Sequence, residues 1–199
     1  MKKLILSILI AATAALSAQA KSLVVYLSQP ENVATKGAND AVSGASVVVR
    51  DSTKYGNVEY MAKIIQRETG ADIFQLETEK PYPREHKALV DAVHAEQKSR
   101  VHPKLKTHSN VADYDTIILC YPIWSYALPF PVHAFLDEYD LGGKTVHLAV
   151  VHGGSRLCNT DKEIAAAEPR AALGKTPLVI SRNDVAKSEK QIADWARKL

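Results

Sequence analysis

Cysteine is scarce: the 199-residue chain has two, Cys120 and Cys158, and neither belongs to a C-x-x-C pair. A fold built on a disulfide framework is thereby excluded. Long apolar runs are also few. Apart from Leu4 to Leu16, no segment approaches the roughly 20 apolar residues of a membrane span. A dominant charge is lacking as well, with 25 Lys+Arg against 22 Asp+Glu and a formal net charge of +3. That balance gives no electrostatic case for nucleic acid, which needs a clustered basic face. Several catalytic signatures are absent too. No Gly-x-Gly-x-x-Gly follows a strand, so no dedicated dinucleotide domain is marked. Ser125 and Ser155 lie outside any Gly-x-Ser-x-Gly elbow. His86, His94, His102, His108, His133, His147 and His152 are scattered without the i, i+4 spacing of a zinc protease helix, so no metal site is expected.

What is present begins with an export pattern. Lys2 and Lys3 form a positive start, Leu4 to Leu16 an apolar stretch, and Ala18-Gln19-Ala20 a small-x-small cleavage site. Residues 1–20 therefore read as a cleavable signal peptide and 21–199 as one domain. The expected location is periplasmic or secreted, with no stable membrane insertion after cleavage. Loss of the two lysines lowers the net charge to +1.

Along residues 21–199, apolar runs alternate with helical patterns. SLVVYL at 22–27, DIFQLE at 72–77, TIILCY at 116–121, TVHLAVV at 145–151 and TPLVIS at 176–181 read as strands, the first and third covered on both faces. Helices are expected from Asn57, as cap, to Gly70, over about 85–98, over Phe130 to Tyr139, and from about Ser188 to Lys198 with Ile192, Trp195 and Leu199 inward. The alternation predicts an α/β three-layer sandwich with a five-stranded parallel sheet in the order 2-1-3-4-5. Ligands of such sheets lie beyond the carboxyl ends of the strands, where the order reverses. The loops after Leu27, Tyr121 and Val151 are then the ones to read.

The first of these is unusually long, reaching Lys54 or Tyr55 and holding Gly37, Gly44 and the apolar patch Ala45 to Val49. An unstructured insertion and an ordered flap or hairpin over the site both fit this 28–55 segment. Its end, Tyr55-Gly56-Asn57-Val58, enters a helix whose free N–H groups suit an anion. The second loop, Pro122-Ile123-Trp124-Ser125-Tyr126, puts aromatic rings at the open end of the sheet. A flat ligand stacked on Trp124 or Tyr126 would cover them, and so would packing on a neighbouring helix. The third, His152-Gly153-Gly154-Ser155-Arg156, has two glycines that admit a planar ligand close to the backbone or simply serve a tight turn. His152 is placed either to serve the ligand edge or to bond the backbone. Cys120 ends a buried strand, and a bond to Cys158 requires Cα atoms within about 7 Å.

Taken in order, Tyr-Pro-Ile-Trp at 121–124, Pro-Phe-Pro-Val at 129–132 with Phe135 and Leu136, Gly-Lys-Thr-Val at 143–146 and His-Gly-Gly-Ser at 152–155 resemble the flavodoxin-like family of FMN-binding proteins. Glu-Lys-Pro-Tyr-Pro at 79–83 resembles its short-chain branch. The resemblance implies FMN, with its phosphate at Ser28 and the 56–58 turn and its ring between residues 122–126 and 152–156. It also implies electron transfer with a redox partner protein or a small-molecule acceptor. An NAD(P)H-dependent flavin or quinone oxidoreductase is the alternative. Tyr55 and Val58 stand where the family offers threonine hydroxyls, and Arg156 stands where it often has glycine. The missing hydroxyls motivate a third reading, a flavodoxin-fold binding protein that has lost FMN.

Overall fold

A computed structural model describes residues 20–32, 39–40 and 47–199. The export signal, apart from Ala20, and Gly37, Gly44, Ala45 and Ser46 of the long loop lie outside the described residues. In chain order the elements are β1 Ser22–Tyr26, β2 Asn39–Asp40, β3 Val47–Arg50, β4 Thr53–Gly56, α1 Asn57–Thr69, β5 Asp72–Gln75, α2 His86–Ser99, β6 Thr116–Pro122, α3 Phe130–Glu138, β7 Thr145–His152, α4 Thr160–Ala167, β8 Ala172–Leu173, β9 Leu178–Ser181 and α5 Glu189–Ala196.

The main sheet runs β5-β1-β6-β7-β8 with β9 also on β7, and each of its pairings is parallel. This is the expected order 2-1-3-4-5, with the fifth position shared by two short segments. β8 pairs with Thr145 and Val146, whereas β9 pairs with Ala149 to His152. The interruption has a local cause. A Cβ on Gly174 would lie 2.4 Å from His147 Nδ1, so the imidazole fills the gap, and Pro177 has no N–H to give the ladder.

Alternation along the central strands divides the core into two halves. Leu23, Val25, Ile117, Leu119, Leu148 and Val150 face α2, α3 and α4, whose Leu89, Val93, Phe135 and Ile164 meet them. Val24, Ile118, Cys120, Ala149 and Val151 face the other way, toward Met61, Ile64 and Ile65 of α1 and Ile192 of α5. Each fully buried aliphatic side chain here is worth about 1.5–3 kcal/mol. Some sequence expectations shift. α4 was not expected, because only Thr160 and Ile164 of its eight residues are buried. Leu199 is exposed, and Ala193 and Ala196 take the inward places beside Ile192. Cys120 and Cys158 are free thiols on opposite halves, with Cys158 packed against the first.

The described end of the long loop is an antiparallel hairpin. β3 and β4 pair from Val47↔Gly56 to Arg50↔Thr53, closed by Asp51 and Ser52 with φ of 50° and 63°. Two left-handed residues match the turn to the strand twist. The hairpin is docked rather than free: Val47 and Val48 are fully buried, Val48 among the α1 residues. Arg50 donates from Nη2 to the Ala186 carbonyl at 2.6 Å and from Nε to Tyr60 Oη at 3.2 Å. Val48→Ala is expected to lower unfolding stability by about 1.5–3 kcal/mol, since it removes buried methyl groups and leaves a void. Urea denaturation checks this, and an unchanged midpoint would show that the hairpin does not belong to the core.

Candidate functional site

Parallel register brings the carboxyl ends of β1, β6, β7 and β9 to one edge: Tyr26 lies beside Cys120, Pro122 beside Val151, and His152 beside Ser181. A cleft opens there, lined by Ser28 and Gln29, Asn57 and Val58, Pro122, Ile123 and Trp124, Val151, His152 and Gly153, and Arg182. Three loops and the entry to α1 thus meet as the switch-point rule requires.

At the α1 entry, the cap is Gly56 and not Asn57, which is the first helical residue. Ser28 supplies the capping oxygen from across the sheet edge, its Oγ accepting from the Glu59 N–H at 3.3 Å. Glu59 reaches back and accepts from the Gly56 N–H through Oε2 at 3.3 Å. Gly56 is required for this approach: an added Cβ would stand 2.1 Å from Ser28 Oγ. Asn57 is 5% exposed, donates from Nδ2 to the Arg182 carbonyl at 3.3 Å, and leaves Oδ1 buried with no partner. Tyr55 turns away from the cleft, its ring 5.9 Å from that of Tyr60. Val58 presents an apolar surface to the cleft where a hydroxyl would bond an anion.

The aromatic loop differs from a set of open rings. Trp124 is 5% exposed, with the Tyr82 ring in a T-shaped contact at 5.1 Å, so the protein itself covers most of the indole. Its Nε1 is buried without a partner. Tyr121 is fully buried, and its hydroxyl pairs with Thr160 Oγ1 at 2.9 Å. Only Tyr126 is widely open, at 78% exposure. Trp124 and Ala127 exchange backbone hydrogen bonds across Ser125 and Tyr126, which have φ of 44° and 63°. Gln97 Nε2 and Cys158 Sγ hold this tip by donating to the Ser125 and Tyr126 carbonyls. Ser125 and Tyr126 form a rim beyond the cleft lining.

In the third loop, His152 Nδ1 accepts from the Gly154 N–H at 3.0 Å, the backbone-bonded alternative of the sequence reading. Gly154 has φ of 134°, which L side chains rarely adopt. Burial, with Arg156 nearby, holds His152 below the ordinary histidine range, so the ring is neutral at pH 7 with its proton on Nε2. Gly153 lines the cleft, whereas Gly154, Ser155 and the exposed Arg156 lie outside it.

Gln29 and Arg182 are cleft residues that the sequence reading missed. Gln29 Nε2 donates to the Tyr82 and Pro83 carbonyls, tying the first loop to the 81–83 segment. The Arg182 guanidinium reaches 3.4 Å from where a Gly153 Cβ would stand. Its signal was available: a cation directly after the fifth strand, at the same edge as the three loops that were read.

Two of the residues that line this cleft carry a buried polar atom without a partner, Asn57 its acceptor Oδ1 and Trp124 its donor Nε1. Buried polar groups ordinarily have a partner, from the protein, from water or from a ligand. A parallel α/β sandwich with such a cleft at its switch point is the architecture of a protein that binds a nucleotide-like ligand in its loops. The family model described as Flavodoxin matches residues 45–199, and the chain belongs to the flavodoxin family. Among solved structures, a protein described as a flavoprotein from Bacteroides eggerthii is 20% identical, with a TM-score of 0.59, 87% of this chain and 98% of that one covered. A flavoprotein from Lactobacillus acidophilus, solved in complex with FMN, is 14% identical with a TM-score of 0.56, covering 84% and 97%. At these identities the likeness shows the fold. A search among curated proteins finds no match.

Gly56→Ala is expected to cost about 1–3 kcal/mol through the clash with Ser28 and the weakened cap. Removing the hydroxyl in Ser28→Ala/Gly56→Ala should recover part of the loss, and additive losses in urea unfolding would contradict the contact. A pH dependence follows from His133, His147 and His152, all held low by burial. Their unfolded forms protonate first, so the stability they contribute is full above about pH 6.5 and is lost as the pH falls below it. The urea midpoint should therefore drop from pH 7 to pH 6, less steeply in His152→Asn. A flat profile would count against it.

Proposed function

We propose that the protein is an exported flavodoxin that binds FMN non-covalently and transfers electrons, acting with a redox partner protein or a small-molecule acceptor. The observation that carries this reading is the cleft at the sheet's carboxyl edge, bordered by an unsatisfied buried acceptor and an unsatisfied buried donor, in a chain of the flavodoxin family. The FMN complex of the Lactobacillus protein, which shares the fold, supports the choice of ligand.

The residues fit such a group. Asn57 would accept from a hydroxyl or N–H of the ligand, and the α1 entry beside Gly56 and Ser28 would receive its phosphate. Val58, Pro122 and Ile123 offer apolar surface that excludes water from the ring, and Gly153 lets backbone come close. His152 stays neutral beside it, while Arg182 brings positive charge to the same wall. Bound FMN supplies the redox chemistry, and the chain tunes it through contacts, hydrogen bonds and local charge. The export pattern of residues 1–20 supports a periplasmic or secreted location, where FMN would load after translocation.

The test is to purify the exported chain, titrate it with FMN and follow flavin absorbance and fluorescence. One equivalent should be bound, reduced by dithionite and reoxidised by an electron acceptor, with little oxidation of NAD(P)H alone. Steady NAD(P)H oxidation with a quinone would move the protein to the oxidoreductase reading. A protein that leaves FMN fluorescence unchanged would establish that the fold has lost the cofactor.

A further inference from the structure

Away from the cleft, the main sheet ends in an open edge. β9 pairs with β7 on one side, and among the described residues no strand pairs with its other side. The Arg182 N–H bonds the His152 carbonyl, so by the alternation of a parallel strand Val179 turns its own N–H and C=O outward. Beside this edge lies a groove of about 1050 Å³ between β9 and α5, and none of its lining residues belongs to the cleft. Its apolar lining comes from Pro177, Leu178 and Val179 and from the Trp195 ring, which is held by donation from Nε1 to the Thr176 carbonyl at 2.8 Å. Its charge is strongly unequal. Lys175, Lys187, Lys190 and Lys198 stand against one acidic side chain, Asp194, which Lys190 at 2.5 Å and Arg197 at 3.1 Å already engage. Lysine on an edge strand commonly keeps other strands away. Here β9 itself carries none, and the four stand around the groove before β9, in the turn ahead of α5, on α5 and after it.

We infer that this groove docks an acidic, extended segment of a partner polypeptide, which lies along β9 with its carboxylates on the four lysines and its backbone paired to Val179. This is strand addition at an open sheet edge. Shape and charge choose the occupant. A groove of this volume is larger than one small anion fills, and a lipid surface is too flat to enter it and reach the half-buried Val179. Spaced ammonium groups around an apolar lining suit a chain that alternates carboxylates with apolar side chains, the pattern of a strand with two unlike faces. The charges also steer such a segment toward the groove. Because groove and cleft share no lining residue, the partner is held without covering the cleft, and the inference does not depend on what the cleft binds.

The experiment titrates the isotope-labelled exported chain with a blocked octapeptide that alternates glutamate and valine, and follows amide and indole N–H resonances. The Val179 amide and the Trp195 indole signals should shift together, and the same peptide with lysine in place of glutamate should move neither. The double variant Lys187→Gln/Lys198→Gln changes two exposed side chains, so the fold is kept while the charge falls. Its affinity for the acidic peptide should drop about fivefold, the size expected from two exposed charge pairs. Added salt should weaken wild-type binding in the same direction. Equal binding of the two peptides, no shift with either, an unmoved Val179 amide, or an unchanged affinity in the variant would each overturn the inference. Sedimentation of the protein with phosphatidylglycerol vesicles, while the acidic peptide leaves Val179 unmoved, would assign the lysines to a lipid surface and overturn it as well.

Discussion

The parallel pairing of the main sheet is the constraint on which the rest depends. Parallel neighbours require a crossover between each pair, and helices α1 to α5 supply the cover that a sheet buried on both faces needs. The same pairing aligns every strand's carboxyl end. Loops separated by more than 150 residues, from Ser28 to Arg182, consequently meet at one cleft without any contact designed for that purpose alone. Fold and site are here one consequence of strand direction.

The described end of the long insertion packs on the α1 side of the sandwich. Its hairpin buries Val47 and Val48, while Arg50 bonds the Ala186 carbonyl and Tyr60, and Tyr60 in turn bonds Glu189 of α5. β4 ends at Gly56, so the hairpin leads directly into the cap of α1 and fixes where that helix begins. This hairpin, docked beside the site, is thus coupled to it through one glycine. The strained alternative, any side chain at 56, would push Ser28 away from the cleft.

Much of this was legible in the sequence, because the signals were of long range in period and strong in composition. The TIILCY run at 116–121 read as a central strand, and Met61, Ile64 and Ile65 marked the buried face of α1. Less legible were features set by neighbours distant in sequence. The cap of α1 is shared with Ser28, which no local window shows, so Asn57 looked like the cap. For Trp124 a ligand and a neighbouring helix were both open as cover, whereas Tyr82, 42 positions earlier and outside any helix, packs on it. Arg182 was overlooked because only three loops were read, although the fifth strand ends at the same edge.

The two unpaired polar atoms at the cleft bear on how the site balances stability against binding. A buried donor or acceptor left without a partner costs about 1–3 kcal/mol. Asn57 and Trp124 each carry such an atom, in positions where substitution by an apolar residue of similar size would relieve the cost in the free protein. A ligand that bonds them would repay the cost on arrival, because each group exchanges no water for its new bond. The free energy recovered goes into affinity without any enlargement of the interface. Hydrogen bonding at these two points would then offset what the α1 entry lacks by carrying a valine at 58.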